Sequence, residues 1–331
     1  MRVMLLEKPR PVSENPLRLA ELPLCTPAPG EIRVHVRACG ICHTDLHIVE
    51  GDLQLPKLPI VPGHQIVGTV DALGAGVREF REGERVGVPW LHSTDGECVY
   101  CRKGLENLCE RAQFTGFHAD GGYAEAMVVP AAFAYALPES FSDLEAAPLL
   151  CAGVIGYRAL MLSNIQPGER LGLYGFGASA HIVIQIARHW QCEVSVFTRA
   201  ETHRQLARHL GAAWTGAAGD TPPAPLDAAI IFAPAGKLVP DALRVLRKGG
   251  TLALAGITMS AIPELEYSLL YPERTVRSVA NSTRDDVRAL LNLAAEIPVR
   301  TTIETYQLPE ANHALQNLKS SKIPGAGVLV I

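Results

Sequence analysis

Nothing in the 331-residue chain approaches the ~20 consecutive apolar residues of a membrane span. Charge of one sign is not in excess either. The formal net charge is −4, so the chain offers no basic face for nucleic acid and no attraction to a membrane surface. Repeats and low-complexity stretches are missing. The eight cysteines are too few and too unevenly spread for a disulfide scaffold. The opening MRVMLLEKP turns polar and proline-rich at once, so no secretory leader is expected. Together these absences leave a soluble cytoplasmic protein, its thiols kept reduced and available to metals. An apolar share of 48% fits such a protein, and the length exceeds one ordinary core, so two domains are expected.

Up to about Pro148 the chain reads as β-rich. IRVHVRACG (Ile32 to Gly40), IVGTVDALG (Ile66 to Gly74) and GYAEAMVVP (Gly122 to Pro130) alternate apolar and polar residues between Gly and Pro punctuation. No long helical pattern is visible there. The pattern changes near Ala146. RLGLYGFG is a compact strand and a glycine turn, followed by the helical ASAHIVIQIARHW with Ile182, Ile186 and Trp190 on one face. CEVSVFT, THRQLARHLGA, LDAAIIFAP, LVPDALRVLRKGG, TLALAG and TVRSVAN continue as strand, helix, strand, helix, strand and strand. Such alternation predicts a parallel, doubly wound sheet. A further helix, RDDVRALLNLAAE, and a tail ending in GVLVI follow. The tail has the character of the β-rich first part and is expected to return to it.

Three groups of residues carry chemistry. Gly175-Phe-Gly177-Ala-Ser-Ala180 stands between a strand and a helix. There a tight turn needs glycine, the helix N-terminus can hold a pyrophosphate, and Ala180 is small enough for close helix–strand packing. A purely structural turn is the bland alternative, which the surrounding β-α-β pattern disfavours. Cys42 and His64 lie about twenty residues apart in ACGICHTDLH and VPGHQIVG, and Cys151 follows in PLLCAGVIGY. Cys, His and Cys with one open position make a catalytic zinc set. Spacing alone does not select these three from eight cysteines and eleven histidines, and a buried cysteine is more often a small hydrophobe. The third group, DGECVYCRKGLENLC, holds Cys98, Cys101 and Cys109. A closed structural zinc needs four ligands, and only three cysteines are present.

In this order, CHTDLH, PGH, the cysteine cluster, PLLCAG and GxGxxA resemble the zinc-dependent medium-chain alcohol dehydrogenases over essentially the whole chain. The resemblance implies an α/β fold. A β-rich, GroES-like catalytic domain, residues 1–148 completed by about 282–331, would flank a Rossmann coenzyme-binding domain with a doubly wound parallel sheet, residues 149–281. It implies Cys42, His64 and Cys151 as catalytic zinc ligands. Thr44 would be the hydroxyl that takes the alcohol proton, His47 the relay to solvent, and Asp45 the carboxylate that orients the zinc-binding histidine. His43 falls where the family places a pyrophosphate contact. The family's cysteine lobe has the spacing C-x2-C-x2-C-x7-C, which puts Asp95 at the first ligand position beside Cys98, Cys101 and Cys109. A carboxylate is a competent zinc ligand. The alternative is a decayed site with Asp95 a solvated turn residue. Cys39 matches no ligand and reads as a spare thiol, with a CxxC redox pair as the minor alternative. The implied activity is reversible oxidation of primary alcohols, medium-chain or aromatic, to aldehydes. Hydride would pass to NAD or NADP, in a homodimer or homotetramer carrying catalytic and structural zinc and acting on small molecules.

Several positions depart from the family pattern. Gln65 replaces a frequent Glu after the zinc histidine, leaving the site slightly more electropositive. Ala326 stands at or near a position that often carries an arginine facing the coenzyme. Leu53, in GDLQLP, replaces the tryptophan of ethanol-preferring relatives. A wider pocket with Trp90 as one aromatic wall is therefore expected, the alternative being that Leu53 is merely a packed loop residue. NAD enzymes usually end the second strand with an acid on the ribose 2′-hydroxyl. Here Thr198 stands there, followed by Arg199 and with Arg204 near, which suits a 2′-phosphate and favours NADPH. A zinc-free quinone or enoyl reductase would lack the three metal ligands, and a non-catalytic coenzyme-binding structural protein could lose Thr44 and His47. All five residues are present.

Overall fold

Strand Glu31–Ile41 begins by alternating, with Ile32, Val34 and Val36 inward and His35 and Arg37 exposed, and is then buried throughout from Ala38 to Ile41. The change follows from its neighbours. Its first half pairs with Ala126–Pro130 on one edge, its last residues pair with Ala326–Val330, and Ile66–Leu73 runs along the other edge. Turn Ala147–Leu150 and helix Ala311–Lys319 also pack against it. The buried end of this strand delivers Cys42.

The computed structural model describes residues 1–297 and 299–331. They form two units, Met1–Cys151 with Ser282–Ala295 and Thr301–Ile331, and Ala152–Asn281 with Glu296–Arg300. In the first unit one sheet runs in the order Ile303–Gln307, Ala326–Val330, Glu31–Ile41, Ile66–Leu73, Arg85–Val88, Tyr135–Ala136. The C-terminal strand Ala326–Val330 thus lies inside the sheet that the N-terminal strands build. Ile32, Val34, Ile66 and Leu329 are among the fully buried residues of its core. Burying such a side chain stabilises a fold by roughly 1.5–3 kcal/mol.

The second unit is a six-stranded parallel sheet. Strand Arg170–Tyr174 sits in the middle. The chain moves outward on one side through Glu193–Phe197 and Trp214–Gly216. It then crosses back to Leu226–Ile231, Leu246–Leu254 and Thr275–Ser278 on the other side. The order therefore reverses next to Arg170–Tyr174, and a doubly wound sheet binds ligands outside the strand ends at such a point.

The structure corrects several element assignments. LVPDALRVLRKGG is not one helix: helix Leu238–Val245 stops, and strand Leu246–Leu254 takes up the RKGG residues. Helix Ala178–His189 buries Val183 and Ile184 as well as Ile182 and Ile186, because it is covered more broadly than a single stripe. Helix His43–Glu50 lies in the part that reads as β-rich. It buries Thr44, Asp45, Leu46, Ile48 and Val49, so polar residues interrupt any apolar 3.6-residue stripe. Among the described residues no single helix is long and apolar enough to cross a membrane.

Candidate active site and metal centres

Cys42 ends the buried strand and starts helix His43–Glu50 in an extended conformation, its own N–H donating to Asp45 Oδ2 at 2.9 Å. Asp45, three residues into the helix, is wholly buried. Its other oxygen, Oδ1, accepts from Gly63 N–H at 3.1 Å and from His64 Nδ1 at 2.9 Å. One carboxylate therefore ties the strand end, the PGH turn and the histidine together. The turn needs glycine at 63: φ is +101°, and a Cβ there would lie 2.5 Å from the Tyr123 ring. Cys151 enters from the end of the turn Ala147–Leu150, and its Sγ lies 3.9 Å from Cys42 Sγ.

The donor atoms of Cys42, His64 and Cys151 all lie within 4.8 Å of one another. A zinc with ~2.3 Å bonds to two thiolates in tetrahedral geometry sets the sulfurs about 3.8 Å apart. His64 Nε2 is buried with no hydrogen-bond partner, while its Nδ1 is held by Asp45. A buried orphan nitrogen is costly unless something binds it, and a carboxylate on the other ring nitrogen is the usual support of a metal-ligating histidine. The residues fit a divalent metal. Burial opposes charge on His64, but the Asp45 carboxylate outweighs it and pushes the imidazole up to about 10. Contact with the Cys151 thiol draws Cys42 well below the ordinary thiol range, and the same contact with burial pushes Cys151 well above it. The Cys42 thiol therefore ionises first.

Thr44 is buried, its hydroxyl 3.7 Å from Cys42 Sγ. His47, three residues further along the helix and so on the same face, holds its Nδ1 2.8 Å from Asp52 Oδ2. His43 is exposed. Trp90 meets the His64 ring edge-on at 4.9 Å and stacks on Phe114. Leu53 is half-buried against the core of this unit. Gln65 is buried, and its carbonyl accepts from Gly40 N–H. Cys39 is fully buried and stands outside both clusters of side chains that could hold a metal.

The second cluster joins Asp95, Cys98, Cys101 and Cys109, whose donor atoms also lie within 4.8 Å of one another. Asp95 Oδ1 accepts from the N–H groups of Glu97 and Cys98, both at 3.0 Å, in a turn that points the carboxylate inward. Its side chain is only 6% exposed, so it is not a solvated turn residue. Those two backbone donors hold the carboxyl far below the usual carboxylate range. Burial pushes the Cys101 thiol up to about 11, while the Cys101 N–H draws Cys98 down. An anionic oxygen beside three sulfurs is a donor set for zinc. The lobe is anchored by Glu106, whose two oxygens take Arg284 in a bidentate pair, Nε to Oε1 at 3.0 Å and Nη2 to Oε2 at 2.8 Å, and which accepts the Arg284 backbone N–H at 2.8 Å.

In the second unit Gly175 closes strand Arg170–Tyr174 with φ +89°, where a Cβ would press on Ala233 at 3.2 Å. Gly177 caps helix Ala178–His189, and a Cβ at Gly177 would meet nothing within 4 Å, so the space before the helix is open. Ala180 is fully buried against the sheet. This turn lies where the strand order reverses. At the end of the next strand Thr198 is buried, and its carbonyl accepts from Arg204 Nε at 3.0 Å. Glu201 is engaged by Arg208 and Arg204, and Arg199 is exposed. Ala326 is a buried strand residue paired with Ile303.

Sequence reasoning missed Asp52, Glu106 and Arg284. Asp52 follows His47 by five positions across a helix end, outside the i,i+3 and i,i+4 spacings that a helical pattern reveals. Glu106 and Arg284 are 178 residues apart, and no local pattern links them.

Comparison with known proteins places the chain in a family. Residues 28–139 match the alcohol dehydrogenase GroES-like domain, and residues 180–296 match the zinc-binding dehydrogenase domain. The chain is 50% identical over 330 residues to the probable alcohol dehydrogenase AdhA of Mycobacterium tuberculosis, covering 98% of this chain and 95% of that protein. Among solved structures it is similar to a cinnamyl alcohol dehydrogenase of Sorghum bicolor, with a TM-score of 0.91 and 27% identity over 99% of this chain and 97% of that one. It is also similar to acetophenone reductase of Geotrichum candidum in complex with NAD, with a TM-score of 0.90 and 25% identity over 100% of this chain and 97% of that one.

Proposed function

The chain belongs to the zinc-dependent medium-chain alcohol dehydrogenases, and from that premise we propose how its residues divide the work. It is an NAD(P)-dependent alcohol dehydrogenase that binds zinc and acts on small molecules. Cys42, His64 and Cys151 hold the catalytic zinc. The observation that carries this assignment is the buried, partnerless His64 Nε2 beside two sulfurs 3.9 Å apart. When bound, zinc makes the alcohol hydroxyl acidic near neutral pH and the nicotinamide accepts the hydride. The chain supplies the rest. Thr44 takes the proton from the alcohol and His47 passes it to solvent, while Asp45 keeps His64 in the tautomer that leaves Nε2 for the metal.

Asp95, Cys98, Cys101 and Cys109 hold a second, structural zinc. Oxygen is a harder donor than thiolate, so this ion is bound less tightly than four cysteines would bind it. The turn Gly175–Ala180 takes the coenzyme pyrophosphate; the family resemblance also gives His43 a pyrophosphate contact. Thr198 and the exposed Arg199 favour NADPH, since the nearest acid, Glu201, is already engaged by two arginines. Leu53 in place of a tryptophan, with Trp90 kept as one aromatic wall, admits butanol-sized or benzylic primary alcohols. A cytoplasmic homodimer or homotetramer completes the assignment.

The deciding experiment is Cys151→Ser. Activity and one zinc per chain should be lost while the circular dichroism spectrum stays native; near-normal turnover with full zinc would reject the ligand set. For the substrate, kcat/KM should rise from ethanol to butanol, each buried methylene being worth about 0.8 kcal/mol, or roughly fourfold. A strict ethanol preference would reject the wide pocket. A lower KM for NADH than for NADPH would reject the coenzyme assignment.

A further inference from the structure

Helix His43–Glu50 ends at Gly51, whose φ of +82° is a left-handed cap that turns the chain back across the helix end. The N–H groups of Gly51 and Asp52 both donate to the carbonyl of His47, the latter at 2.9 Å. That reversal brings the Asp52 carboxylate over the ring of the same residue, Oδ2 to Nδ1 at 2.8 Å. Backbone and side chain of Asp52 therefore both close on His47. The two differ in exposure: the Asp52 side chain is 55% accessible and the His47 side chain 16%. The ring is held inside and the carboxylate reaches it from the solvent side.

A carboxylate is an acceptor only, so the ring nitrogen facing it carries the proton. With Nδ1–H donated to Asp52, the lone pair of neutral His47 is on Nε2. We propose that Asp52 is a positioning residue for proton transfer: it fixes the ring orientation and tautomer of His47 so that Nε2 is the atom that accepts the proton released by the alcohol. The proposal rests on His47 as the relay. The balance is simple. The Thr44 hydroxyl takes up the proton that leaves the substrate hydroxyl and gives its own to Nε2, the imidazolium so formed keeps its Nδ1–H bond to Asp52, and the Nε2 proton then leaves to water. No bond to carbon changes in this step. An anion 2.8 Å from the ring favours the charged intermediate over a neutral partner of the same shape.

The test uses the zinc-loaded, full-length enzyme, with hydride transfer followed in a single turnover so that product release does not mask it. Wild-type His47, assigned by the signal missing in His47→Gln, should show the Nδ1–H tautomer in two-bond proton–nitrogen correlation spectra. Asp52→Asn can donate from its amide to Nδ1 and should shift His47 toward Nε2–H, slowing hydride transfer about three- to tenfold with little change in alcohol KM. Asp52→Ala should be slowed as well and be partly rescued by acetate or formate, which a merely structural carboxylate would not allow. If His47→Gln leaves the rate unchanged, the relay assignment itself fails. If His47→Gln slows the reaction while Asp52→Asn keeps both the wild-type tautomer and the wild-type rate, the role of Asp52 is overturned. Absence of rescue in a folded, zinc-replete Asp52→Ala enzyme likewise counts against it.

Discussion

Asp45→Asn is the sharpest probe of the catalytic centre. Asp45 is wholly buried, and its two oxygens accept three N–H groups: Cys42 N at 2.9 Å, Gly63 N at 3.1 Å and His64 Nδ1 at 2.9 Å. Asparagine keeps the shape but offers one acceptor oxygen where two are used. If that oxygen stays with Gly63 and His64, the amide NH2 faces the Cys42 N–H, donor against donor. A buried donor left unsatisfied costs about 1–3 kcal/mol, and loss of charge assistance in the other two bonds costs on the order of 1 kcal/mol more. The sum, roughly 2–4 kcal/mol, corresponds to a fall in Tm of about 4–16 °C for a unit of this size. The metal feels it separately, because His64 loses the partner that fixes its ring. Removing such a support typically lowers metal affinity about 10–100-fold. Calorimetry and zinc competition against a chromophoric chelator measure the two effects. An Asp45→Asn protein that melts within about 1 °C of wild type and holds zinc within twofold would refute the hydrogen-bond reasoning.

Asp95→Ala should cut zinc from two ions per chain to about one and lower Tm, leaving turnover per remaining zinc near wild type; elemental analysis beside the melting curve checks it. Glu106→Gln breaks the bidentate pair with Arg284 beside the same lobe, at a cost of about 1–3 kcal/mol because one charge stays half-buried and unmatched. Although burial opposes its charge, Arg284 draws the Glu106 carboxyl below the ordinary range, so its stabilisation is present above about pH 4.5 and lost as pH falls through the lowered value. Glu106→Gln should accordingly flatten the acid limb of stability against pH, and an unchanged limb would count against the pair. In the metal-free protein His64 is raised to about 10, so the stability it contributes is full below about pH 6.5 and disappears as pH rises through about 10. Zinc needs the neutral ring, so zinc uptake at pH 7 should release a proton from His64 as well as from thiols. Calorimetric titration in buffers of different ionisation enthalpy counts these protons.

What the chain states locally is legible without coordinates. The glycine turn at Gly175–Ala180, the alternation in Glu31–Ile41, the strand–helix succession after Ala146 and the close cysteines of the lobe all depend on neighbours within a few residues, where periodicity and turn chemistry act. The resemblance then assigned roles to Cys42, His64 and Cys151 that spacing alone could not, because Cys151 reaches Cys42 across 109 residues. Tertiary structure decided the rest. Whether Asp95 turns toward the sulfurs or toward water depends on where the Glu97 and Cys98 N–H groups point. Helix His43–Glu50 escapes the periodic pattern because its environment buries polar Thr44 and Asp45 along with its apolar residues. Asp52 meets His47 only because Gly51 adopts a left-handed turn after the helix. In each case the residue's partner is set by a fold-dependent approach of distant or reversed chain, and no run of side-chain types along the sequence encodes that approach.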